Sequence, residues 1–75
     1  MTSERQWSYA ELTATAEKEV RFFAMMAVPT LDYEGRRDLA MRAFGVYFFW
    51  DSLTSTYQRT GDKERLRAMV DAITA

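Results

Sequence analysis

Leu39, Ala43, Val46, Trp50, Leu53 and Tyr57 are spaced four, three, four, three and four residues apart. That is the spacing of an apolar seam along one helical face, and a strand would need the strict alternation this stretch lacks. At ~100° per residue, Met41, Phe44 and Phe48 fall opposite the seam, with Tyr47 and Phe49 on the flanks. The middle of this helix is therefore apolar nearly all round, which predicts burial on more than one side. The spacing predicts a helix over about 33–60, begun by Asp32 as N-cap with Thr30 as competitor and Glu34 in the first turn. Gly45 in its middle costs ~1 kcal/mol against alanine, and is read as a point where another backbone comes close.

A second pattern precedes it. Tyr9, Leu12, Ala16, Val20, Phe23 and Ala27 form the stripe of a helix over about 9–27. Ser8 followed by Glu11 reads as a capping box, and Trp7 with Leu12 as a hydrophobic staple. Glu17 and Arg21 are placed to pair one turn apart. Phe22 and Met25 leave the stripe, and Pro29 stops the helix. A third stripe, Leu66, Met69, Val70 and Ile73, predicts a helix over about 63–74, capped by Asp62 after the helix-ending Gly61. Residues 1–6 are polar and expected to fray.

Short connections make neighbouring helices antiparallel. The expected fold is all-α: a small three-helix hairpin or bundle, two long antiparallel helices plus a short C-terminal one, within one domain of 75 residues. Trp50 is expected at the level of Leu12 and Ala16. A chain this short buries only ~60% of its unfolded surface, so the core is marginal alone. With no cysteine and no histidine, neither a disulfide nor a thiolate metal site can supplement it. Rich packing and oligomerisation remain, and both fit the 15% aromatic content.

The same absences remove the usual bases, nucleophiles and zinc ligands. The carboxylates are scattered, and no glycine-rich phosphate loop is present. Asp51, the one acid in the aromatic centre, is read as structural. No catalytic residue, cofactor or metal ligand is nominated, and the protein is expected not to be an enzyme. Its net charge of −1 creates no field toward nucleic acid or anionic membrane. No apolar run approaches the ~18 residues of a membrane span, and Met1–Arg5 lacks the apolar region of a signal peptide. A soluble, cytoplasmic protein is expected.

Thr60-Gly61-Asp62, followed by Lys63, Arg65 and Arg67, resembles the turn of a helix-turn-helix. That motif needs a small residue four before the glycine and an apolar one six after, where Tyr57 and Arg67 stand. The three basic residues are therefore read as a solvated face.

Phe22, Met25, Met41, Phe44 and Phe48 lie off the intramolecular seam and are the expected interface of a homodimer. The function expected is a non-enzymatic protein–protein interaction module, an accessory or regulatory protein that also binds a second macromolecule. Small cysteine-free helical proteins of this kind are common among phage, plasmid and regulatory accessory factors, an association only. One alternative is a nucleic-acid-binding regulator whose dimer pairs two patches of Arg36, Arg37 and Arg42. Another is a small apolar-ligand carrier built on the aromatic centre, favoured by a cavity near Gly45.

Overall fold

In the computed structural model, which describes residues 7–29 and 32–75, three helices follow one another: α1 (Tyr9–Ala27), α2 (Tyr33–Thr54) and α3 (Asp62–Asp71). No strand occurs among the described residues. The fraying expected of residues 1–6, and Thr30 as a cap, lie outside them.

Both halves of the capping box form at the start of α1. The Ser8 hydroxyl accepts from the Glu11 N–H at 3.0 Å, and a Glu11 carboxylate oxygen accepts from the Ser8 N–H at 3.0 Å. Two donors with no intrahelical partner are thereby satisfied. At the other end α1 stops at Ala27, two residues before the proline that cannot continue it. Asp32 caps α2 by accepting from the Glu34 N–H.

The second helix ends at Thr54, six residues before the expected boundary. Its last turn is rich in hydroxyls that bond back into the helix: Ser52 Oγ donates to the Phe48 carbonyl and Thr54 Oγ1 to the Trp50 carbonyl. Such back-bonds compete with the helical ladder and bend or end it. Gln58 then folds back, its Nε2 reaching Asp51 at 2.6 Å and Thr54 at 3.2 Å. The corner closes at Gly61, whose φ of 92° lies in the left-handed region. Gly61 itself is the N-cap of α3 and supplies no side chain; Asp62, expected as the cap, is the first helical residue.

Thr13 and Trp50 set the register of the hairpin. Trp50 is 2% exposed, and its indole Nε1 donates to Thr13 Oγ1 at 3.0 Å. Early α1 thus meets late α2, and the helices run antiparallel. The buried stripe of α2 is Ala43, Tyr47, Trp50 and Thr54, where Leu39, Ala43, Val46, Trp50, Leu53 and Tyr57 were expected. The period holds, but the inward face is turned by about half a residue step. The cause is α3, which packs against one flank of α2 only. A helix touching two neighbours buries the arc between them, so Tyr47 moves into the core while Leu53 and Tyr57 stay exposed. The stripes of the other helices fall where their spacing placed them: Ala16, Val20 and Ala27 on α1, and Leu66, Val70 and Ile73 around α3, are buried.

Gly45 is exposed, and a Cβ built on it would meet nothing within 4 Å. The close backbone approach expected there does not occur, because Gly45 faces away from both neighbouring helices.

Candidate interaction surfaces

The five residues expected to form one interface fall into two groups. Phe22 is two residues, about 200°, past the buried Val20, and Met25 two before the buried Ala27. Both stand on the outer face of α1, where Phe22 packs edge-on against Phe23 with ring centroids 5.8 Å apart. Met41, Phe44 and Phe48 stand instead on the α3 flank of α2. Met41 and Phe44 line a shallow cleft of about 220 Å³ with Val70 and Thr74. The third helix covers this group only in part: Arg67 lays its guanidinium over the Phe44 ring at 5.0 Å, leaving Phe44 37% exposed, while Met41 and Phe48 remain 63% and 59% exposed. Two antiparallel helices present their outer faces in opposite directions, so wheel periodicity alone did not place the two groups on one surface.

Sequence reasoning missed a third apolar surface, on the side of the hairpin away from α3. A cleft of about 480 Å³ runs between α1 and α2 there. Its floor is Ala16, Val46 and the edge of Trp50; Leu12, Phe49 and Leu53 form its walls. Trp7, Thr15 and Glu19 also line it. Phe49 is 66% exposed and Leu53 44%. The signal was present in the sequence, since Val46 and Leu53 belong to the regular seam. They were read as buried along that seam, but the inward turn toward α3 leaves them at the edge of the contact.

The basic residues are mostly engaged within the fold. Lys63 Nζ lies 3.6 Å from Asp51, Arg67 Nε 3.2 Å from Asp71, and Arg65 bridges Glu17 on α1 and Asp62 on its own helix. Arg65 is held in its charged form by hydrogen bonds to Asp62 and then Glu17. Glu17 also pairs with Arg21 at 3.3 Å, as the spacing anticipated. Asp51 is tied into the corner by Gln58 and Lys63. Of the three arginines considered for nucleic acid, Arg42 pairs with Asp38 at 3.1 Å. Arg36 is half-buried against Ala24, Ala27 and Ile73, its Nε without a hydrogen-bond partner, and Arg37 lines the cleft beside Met41. They leave α2 in three directions and form no single patch.

Among the described residues no group of three or more carboxylates could hold a metal ion, and no helix is long and apolar enough to cross a membrane. No protein-family model, curated protein or solved structure matches this chain.

Proposed function

We propose that this protein is a non-enzymatic helical interaction module that self-associates and binds a second protein through its exposed apolar faces. One observation carries the reading. Among the described residues, twelve large apolar side chains are exposed, whereas the core holds only six larger than alanine: Val20, Tyr47, Trp50, Leu66, Val70 and Ile73. Burying such a side chain from full exposure is worth ~1.5–3 kcal/mol, so each of these would gain a part of that in proportion to its exposure, and contiguous apolar surface on a small protein marks an interface. Two such surfaces on opposite flanks of α2 give one face for a second copy and one for a different partner. Methionine and phenylalanine, which dominate the Met41, Phe44 and Phe48 group, are common in adaptable interfaces.

Sedimentation velocity tests the self-association, with a mass above that of one chain expected at tens of micromolar. A protein that stays monomeric to ~100 µM and whose melting does not depend on concentration would refute it. For the second face, replacing Phe44 and Phe48 with glutamine should leave helix content intact. Outright unfolding of that variant would mean both rings are core.

The cleft volume favours one further reading, carriage of a small apolar ligand, since ~300–1,000 Å³ is the range of such sites. Titration with a fluorescent apolar dye tests it: saturable binding of one dye per chain supports carriage, and dye binding that does not saturate refutes it.

A further inference from the structure

We infer that the cleft between α1 and α2 is where a second copy of the chain docks, hairpin face against hairpin face, about a twofold axis parallel to the helices. The inference rests on the self-association proposed above and assigns its surface and geometry. Leu12, Thr15 and Glu19 of α1 line this cleft, and the same three-four spacing runs on to Phe22 and Met26. Val46, Phe49 and Leu53 of α2 line it from the other side, and the same spacing runs back through Arg42 to Leu39. That is the period by which helices of a bundle interdigitate, and here both helices of one hairpin carry it side by side.

The register identifies the occupant. Thr13 lies level with Trp50, and the helices are antiparallel. Six residues on along α1, Glu19 is level with residue 44 of α2, between Arg42 and Val46 on the cleft side. A twofold axis parallel to the helices preserves these levels and sets α1 of one copy over α2 of the other, again antiparallel. Glu19 then meets Arg42 of the partner subunit, twice by symmetry. Leu12 meets the partner's Phe49 and Leu53 at one end, and Phe22 the partner's Leu39 at the other. Glu19 and Arg42 stand at matching heights with apolar residues beyond them, which is self-complementarity of the kind a twofold interface requires, and Asp38, one turn before Arg42, is the second acid on this face. Glu19 has no ion-pair partner among the described residues, and Arg42 is held only by an exposed one-turn pair that costs little to give up.

The area suffices. At ~200 Å² per aromatic side chain, the exposed parts of Trp7, Phe22 and Phe49 amount to on the order of 300 Å². Leu12, Val46, Leu53 and the stems of Glu19 and Arg42 extend the face toward the ~800 Å² per partner of a stable complex.

Sedimentation velocity with circular dichroism tests this. Phe49→Glu, at a position already exposed, should halve the mass of the wild-type dimer without loss of helix, whereas Phe48→Glu on the opposite flank should not. Glu19→Arg alone and Arg42→Glu alone should each weaken the dimer at least ~10-fold, and the double reversal should restore it. A wild type that is monomeric overturns both this inference and the self-association it rests on. A dimer split by Phe48→Glu but not by Phe49→Glu leaves self-association standing and overturns this face. A double reversal no tighter than the single variants overturns the proposed axis.

Discussion

The Tyr9 hydroxyl donates a 2.6 Å hydrogen bond to the carboxylate of Asp62, tying the first turn of α1 to the first turn of α3. The same oxygen accepts from the Arg59 N–H at 3.0 Å, and the ring contacts Trp50, Tyr57 and the Arg59 guanidinium. One side chain thus fastens the corner that replaces the last turns expected of α2.

This relationship predicts a pH dependence. The Tyr9 hydroxyl, and after it the Arg65 guanidinium, hold the Asp62 carboxyl below its ordinary value of 3.8. A group whose pKa is lower folded than unfolded stabilises the fold above its unfolded pKa, and that contribution is lost as pH falls through the folded one. The melting temperature of the wild type should therefore fall below about pH 4. Asp62→Asn should flatten that limb. Tyr9→Phe should cost ~0.5–1.5 kcal/mol near neutral pH, the net worth of a hydrogen bond, and also reduce the acid dependence. Thermal melts from pH 2.5 to 7 check all three; an unchanged acid limb in Asp62→Asn would remove Asp62 from the account.

The helices were legible because each rested on signals that reinforce one another. Ser8 and Glu11 specify the start of α1 by reciprocal bonds, and Leu66, Val70 and Ile73 bury as their spacing requires. The end of α2 was not legible, because the apolar period runs on to Tyr57 while the decision is made by the Ser52 and Thr54 hydroxyls. The surfaces were less legible still. Periodicity gives the width of an apolar arc but not which neighbour lies where along it. Until α3 is placed on one flank of α2, Tyr47 and Val46 are interchangeable as core, and the open cleft beside Val46 and Phe49 cannot be told from the covered side. Likewise, Phe22 and Phe44 look alike as residues off the stripe until the two helices are set with outer faces apart.

The buried pair Trp50 and Thr13 should behave as a unit. Trp50→Ala leaves a large void in the centre of the hairpin and should cost roughly 3–5 kcal/mol. Trp50→Phe keeps most of the apolar contact but strands the Thr13 hydroxyl, buried at 7% exposure, and should add a penalty of ~1–3 kcal/mol. Thr13→Val in the Trp50→Phe background removes the stranded group, so the double variant should be more stable than Trp50→Phe alone. Chemical denaturation of the four proteins measures the coupling as a double-mutant cycle. Simple additivity would mean that the 3.0 Å bond contributes nothing of its own.

Gly45 and Gly61 should respond to alanine in opposite directions, although neither has an atom within 4 Å of the Cβ position. Since space is equal, the backbone decides. Gly45 sits in the middle of α2 with ordinary helical geometry, where glycine is only a loss of order relative to alanine. Gly45→Ala should stabilise by ~0.5–1 kcal/mol. Gly61 holds φ at 92°, where an L side chain is strained. Gly61→Ala should destabilise by ~1–2 kcal/mol and loosen the start of α3, whose N-cap offers no side chain to compensate. Paired denaturant titrations read the two signs directly. If Gly45→Ala destabilised the protein, a neighbour would have to approach that face of α2, and in a chain that self-associates the neighbour would be another subunit. Repeating the titration across protein concentration separates that case, because a clash between subunits lowers stability only where the dimer forms.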